Sequence, residues 1–162
     1  MPQSEIYILQ AEPPDAEAVA QVLFESFAEY EGLYTRESFV ATTPNASQIL
    51  VRIREGPVWI AFRDATVLGT TAAVVKEKSV YMRGMAVLPE ARGFGVGARL
   101  IEQVESWARD QGCARVFLST IPFLRAAIRL YERSGFRRTD EVPHDLFGTP
   151  LFTMEKSIFG KE

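Results

Sequence analysis

Apolar positions along the chain change period several times, and the changes predict an alternation of strands and helices. A short strand pattern runs from Glu5 to Ala11 and stops at Pro13 and Pro14. Behind Asp15, a residue able to cap a helix, Val19, Val22, Leu23 and Phe27 recur at helical spacing. Thr35 to Val40 and Ser47 to Arg54 predict two further short helices, and Gly56 closes that region. Three strand patterns then follow with short turns between them: VWIAF from Val58 to Phe62, VLGTTAAVV from Val67 to Val75, and VYMRGMAVL from Val80 to Leu88. Such a series predicts an antiparallel meander.

From Gly95 the period lengthens. Leu100, Ile101, Val104, Trp107 and Ala108 form one helix face, Glu105 and Arg109 stand at pairing distance along it, and Gly112 offers a C-terminal cap. ARVFLST follows as a buried strand. Leu124, Ala127, Ile128 and Tyr131 line a second helix that Gly135 ends. FRRTD and TPLFTMEKS predict two closing strands joined by a long loop that contains His144. The order is a strand, helices, three strands, helix, strand, helix and two strands, which predicts a mixed α/β sheet rather than a repeated βαβ array.

Composition narrows the function classes. With 162 residues, 47% hydrophobic and 24% charged, the chain is expected to fold as one domain, residues 1–162. Its apolar runs fall well short of a membrane span, and MPQSEIYILQ lacks the basic and apolar segments of a secretory signal, so a cytoplasmic protein without membrane partners is expected. Cys113 is the only cysteine and His144 the only histidine, which rules out an internal disulfide and leaves too few ligands for a typical zinc site. A net charge of -3 argues against a general nucleic-acid binder.

The stretch with the most chemical content is VLPEARGFGVGARLIEQV, Val87 to Val104. It reads as a strand end, a glycine loop led by Arg92, and a helix start. Unpaired N–H groups and the positive end of the helix dipole favour an anion such as a phosphate there. A Walker loop would place a lysine after the glycines, and none follows. A dinucleotide fingerprint beginning at Gly93 would put Ala98 at its last position; the motif alone leaves that reading open, although three meander strands precede it. Gly84, inside a strand pattern, predicts a bulge or a close approach to the backbone.

The run MAVLPEARGFGVGARLI resembles the signature of the GNAT superfamily of N-acetyltransferases, Arg/Gln-x-x-Gly-x-Gly/Ala after a strand ending in apolar-Val-x-Pro. AAIRLYERSGF, Ala126 to Phe136, resembles a later helix of that superfamily, and the two blocks come in the right order. Element order extends the resemblance from Ile6 to Ser157. It implies a mostly antiparallel central sheet of about six to seven strands flanked by helices, with a splayed strand pair holding acetyl-CoA or coenzyme A as co-substrate. Met85, Ala86 and Val87 would meet the pantetheine, and Arg92, Gly93, Phe94, Gly95, Val96, Gly97 and Ala98 the pyrophosphate. Tyr131 matches the tyrosine that serves the departing thiolate, and Arg133 is a candidate for the ribose phosphate. Glu29 and Glu31 fall in the segment covering the acceptor, where Glu29 is a candidate base, and Glu29, Tyr30 and Glu31 are candidate substrate contacts; a water relay is the alternative to a dedicated base. Where many relatives carry a pantetheine-contacting asparagine, this chain has Leu124.

The expected activity is acetyl transfer from acetyl-CoA to a primary amine of a small molecule or peptide. A CoA-binding sensor without turnover would keep the loop but would not need Tyr131, and a dinucleotide-binding domain is the third reading. TPLFTMEKS could serve as a dimer edge or simply complete the sheet of one chain.

Overall fold

The structure is a computed structural model in which residues 5–159 are described. Its centre is an eight-stranded sheet: β1 (Tyr7–Gln10), β2 (Val58–Arg63), β3 (Thr66–Lys76), β4 (Ser79–Val87), β5 (Arg115–Thr120), β6 (Arg137–Arg138), β7 (His144–Leu146) and β8 (Thr149–Ser157). The spatial order is β1-β2-β3-β4-β5-β8-β6, with β7 also paired to β8. Every pair is antiparallel except β4 with β5. The helices are α1 (Ala16–Phe27), α2 (Arg36–Thr42), α3 (Ala46–Glu55), α4 (Val96–Asp110) and α5 (Arg125–Arg133), and a 3-10 segment, Ala28–Leu33, continues from α1.

Capping explains several boundaries. Thr35 caps α2 by accepting from the Ser38 N–H, and Asn45 and Gln48 form a reciprocal capping box at the start of α3. Helix α4 follows Gly95 in the left-handed region, and α5 ends before Gly135, whose φ is 98°. Along α4, Leu100, Ile101, Val104 and Ala108 are all buried, as their spacing predicts. The pairing foreseen between Glu105 and Arg109 spans 3.9 Å, while Lys156 of β8 sits closer to the Glu105 carboxylate, at 2.9 Å.

Two features differ from the expectation. The sheet has eight strands rather than six or seven, because β7 spans three residues, too short to leave a period, while the two-residue β6 falls inside FRRTD as expected. His144 therefore lies in a strand, opposite Leu151, and not in an open loop. The β7–β8 hairpin turns on Phe147 and Gly148 with φ of 48° and 93°, a conformation that usually announces itself as Asn-Gly or Asp-Gly. Phenylalanine at the first position hides it. Of the two roles open to TPLFTMEKS the structure shows the second: β8 pairs with β5, β6 and β7 and so completes this chain's sheet.

Helix α4 reaches the sheet through small residues. A Cβ on Gly69 of β3 would stand 3.0 Å from Val96 and 2.8 Å from the Ala86 carbonyl. Gly97 plays the same part toward α5, since a Cβ there would meet the Leu130 side chain at 2.5 Å. Substituting Gly97→Val should therefore cost about 1–3 kcal/mol by overpacking. Combined with Leu130→Ala it should cost less than the two single changes added together, which urea unfolding of the three variants will measure.

Candidate functional site

Parallel pairing between β4 and β5 covers Ser79–Tyr81 against Arg115–Phe117 and then stops, although β4 runs on to Val87 and β5 to Thr120. Past that point the two strands diverge. A bulge in β4 adds to the separation: Thr70 pairs with Ala86 and Ala72 with Arg83, so Gly84 and Met85 together oppose Thr71. Gly84 takes a φ of 66°, which favours glycine. The β5-facing edge of β4 beyond Tyr81 thus carries backbone groups without strand partners, at the middle of the sheet rather than its rim.

That gap opens into a cleft of about 740 Å³. One end is the glycine loop. Gly93 and Gly95 have φ of 88° and 83°, and a Cβ at either would meet only open space, so backbone conformation rather than crowding requires glycine there. The first helical bond of α4 runs from the Arg99 N–H to the Gly95 carbonyl, 3.1 Å. The N–H groups of Val96, Gly97 and Ala98 come before it, and no side chain caps them. They form a donor cluster at the positive end of the helix, suited to an anion.

Arg92 holds the loop to its surroundings. Its guanidinium donates to the Val87 carbonyl at 3.2 Å and the Ser26 carbonyl at 3.1 Å, and pairs with Glu29 at 2.9 Å. Strand β4, helix α1 and the segment after it therefore meet at one side chain. The Glu29 carboxylate, a candidate base by sequence, is engaged by Arg92; Glu31 is exposed. Tyr30 stacks on Phe123 at 6.1 Å.

The middle of the cleft is lined by Met85, Ala86 and Val87 on one side and by Leu124, Ala127 and Tyr131 of the α5 region on the other. Tyr131 is buried against Phe136 where the helix lines the cleft. Burial alone pushes its phenol well above the ordinary value, so it keeps its proton throughout the physiological range. Leu124 precedes α5 and packs beside Tyr34, Phe39 and Ile121, an apolar contact where an asparagine would have offered an amide. Arg133 lines the cleft from the end of α5 and is exposed. Phe94, also exposed, lies under the Arg63 guanidinium at 5.5 Å on the outer side of the loop.

Beside Gly84 the cleft is lined by residues that sequence reasoning did not single out, Arg52, Tyr81 and Arg83, and Ser26, Tyr34 and Thr42 line it as well. Tyr34 is buried among Phe39 and Phe123 at ring distances of 5.7 Å and 5.0 Å, and burial pushes its phenol to about 12. Its hydroxyl faces Thr42 without a hydrogen bond of ordinary geometry. Arg83 pairs with Glu55, which holds that carboxyl below the usual range. Arg52 reaches across from α3, and a Cβ on Gly84 would stand 2.7 Å from its Nη1. Gly84 was the one available signal for this group: its place in a strand predicted a close approach, and the approaching group is Arg52. Among the described residues no cluster of metal-binding side chains occurs, and no helix is long and apolar enough to cross a membrane.

Comparison with known proteins agrees with this architecture. Residues 17–136 match the acetyltransferase (GNAT) family. The uncharacterized N-acetyltransferase YjgM of Escherichia coli K12 is 31% identical over 133 residues, 78% of this chain and 78% of that protein. PaiA N-acetyltransferase of Thermoplasma acidophilum, solved in complex with coenzyme A, superposes with a TM-score of 0.81 at 21% identity, covering 94% of this chain and 99% of that one. The protein yncA of Salmonella typhimurium, solved with its cofactor acetyl-CoA, gives a TM-score of 0.72 at 20% identity over 94% of each chain. With the family match spanning most of the sequence and the splayed strands leading to the glycine loop, the chain belongs to the GNAT family of acetyltransferases and is an acyltransferase.

Proposed function

We propose that the protein transfers an acetyl group from acetyl-CoA to a primary amine, both substrates being held at once in the cleft between β4 and β5. The observation that carries this reading is the continuity of that cleft, from the donor cluster at Val96–Ala98, along the unpaired edge of β4, to Tyr131 and on to a separate polar end. A pyrophosphate matches the free N–H groups of the loop, and an extended amide-bearing arm matches a strand edge with unused backbone groups. The coenzyme complexes of PaiA and yncA support the same choice of donor.

In this reading Arg92 through Ala98 hold the pyrophosphate, Met85 to Val87 orient the arm, and Arg133 stands where it can meet a further phosphate. Acetyl-CoA supplies the acetyl carbon on a thiol leaving group; a C–N bond to the amine replaces the C–S bond. An N–H of the Met85–Val87 edge, beside the bulge, donates to the oxyanion that develops. Tyr131, kept neutral by burial, donates a hydrogen bond to the leaving thiolate and keeps its proton, and the thiolate leaves as such or takes a proton from water. Glu29 serves here as the anchor of Arg92 rather than as a base, and the proton of the amine leaves through water.

Thiol release from acetyl-CoA across a panel of amines, with the acetylated product weighed by mass spectrometry, tests the reading. Tight CoA binding without release for any small-molecule, peptide or protein amine would instead mark a sensor. Tyr131→Phe should lower kcat about 10- to 100-fold and leave KM for acetyl-CoA nearly unchanged. Since burial keeps Tyr131 protonated, the ratio of wild-type to Tyr131→Phe activity should stay level and well above one from pH 7 to pH 10; a ratio near one at every pH would remove Tyr131 as donor, and a ratio collapsing near an ordinary phenol value would show that burial does not hold its proton. Arg92→Ala should raise KM for acetyl-CoA about 10-fold or more, the worth of a lost charge-assisted hydrogen bond, as steady-state titration of the donor will show.

A further inference from the structure

The polar end of the cleft carries positive charge in excess of the ion pairs among the described residues. Arg52 and Arg83 both line it, and only one carboxylate, Glu55, is paired with either of them. Two guanidinium groups against one carboxylate leave one positive charge, and it falls to Arg52, which makes no ion pair among the described residues. Arg52 is held beside the bulge because Gly84 lacks a side chain. Alternation along β4 sets Tyr81 and Arg83 on the face opposite the buried Val80 and Met82, so both point to the same side as the incoming Arg52. Burial, then the Arg83 charge, lowers the Arg52 proton affinity, yet a guanidinium stays cationic at neutral pH.

A second observation is independent of charge. Three buried side-chain polar atoms lack a hydrogen-bond partner among the described residues: Ser26 Oγ, Tyr34 Oη and Arg83 Nε. All three belong to residues lining this one cleft. Unpaired buried polar groups are rare in folded proteins and gather where a polar ligand completes them. The rings of Tyr30 and Tyr34, both packed on Phe123, meanwhile give the cleft an aromatic lining.

We propose that Arg52, supported by Arg83, forms a carboxylate-binding subsite beside the bulge, and that the acceptor amine is a free amino acid with an apolar or aromatic side chain. The subsite deepens the acetyl-transfer reading and rests on it for the word acceptor. Placement next to Gly84 suits a molecule whose carboxylate and amine are separated by a single carbon, because a carboxylate on Arg52 then lies close to the Met85–Val87 edge proposed to face the thioester carbonyl. The carboxylates of Glu29 and Glu31, candidate acceptor contacts by sequence, would suit a cationic molecule. Glu29 is occupied by Arg92, and the charge left over inside the cleft is positive.

Matched probes decide the matter: phenylalanine, leucine and methionine, each beside its carboxamide and its decarboxylated amine, with the other standard amino acids screened once. Thiol release reads transfer, and calorimetry in the presence of CoA reads binding without requiring transfer. The free acids should be preferred over their carboxamides and amines by at least 10-fold in kcat/KM. Arg52→Gln should abolish that preference by raising KM for the acid, Arg52→Lys should restore part of it, and Arg83→Gln should weaken it. Arg54→Gln, the same charge change on an exposed neighbour in α3, should leave it intact. Equal use of acid, amide and amine overturns the subsite while the transferase stands. Transfer to other amines, with no standard amino acid acetylated or bound, overturns it too. If no amine is acetylated, the transfer reading fails, and Arg52-dependent binding of the free acids by calorimetry still upholds or rejects the subsite.

Discussion

Parallel pairing between β4 and β5 lasts three residues on each strand, and the site exists because it ends there. Had the ladder continued, the backbone of Met82–Val87 would be satisfied on both edges and the sheet would have no interior opening. The bulge at Gly84 and Met85 prevents this by bending β4 while leaving its pairing to β3 intact on either side. Backbone groups left open inside a fold cost about 1–3 kcal/mol each unless something else satisfies them. A ligand that lies along the edge as a strand would offsets that cost, so the sheet's weakness and the binding surface are the same feature.

Around this gap the charges are arranged against the average. The chain as a whole is acidic, with a net charge of -3, but Arg92, Arg133, Arg52 and Arg83 all line the cleft. Arg92 and Arg83 each spend their charge partly on a glutamate, Glu29 and Glu55, which fixes their position. A low-dielectric channel lined by cations concentrates field inside it even where the net charge of the chain is negative.

Most of the architecture was legible in the apolar period. The strands β2 to β4 and the faces of α4 and α5 are where spacing puts them, because long regular segments leave long regular patterns. The shortest hairpin was not legible: β7 spans three residues, and Phe147 in a left-handed turn carries no turn signal. At the site, the glycine loop and Gly84 were visible because glycine marks backbone constraints. Arg52 was not, since an arginine on a short amphipathic helix looks the same whether it faces solvent or a cleft. Its significance comes from a contact between α3 and β4, which no local pattern contains.

The last glycine of the loop adds a constraint of a different kind. Gly93 and Gly95 answer to their own backbone angles, but Gly97 answers to Leu130, on a helix that forms part of the second recognisable block. The two blocks that betray the family as separate words in the sequence are thus one interlocked surface in the fold. A lineage that enlarges residue 97 has to trim residue 130, or let the helix carrying Tyr131 drift away from the loop, so these two positions are expected to evolve as a pair.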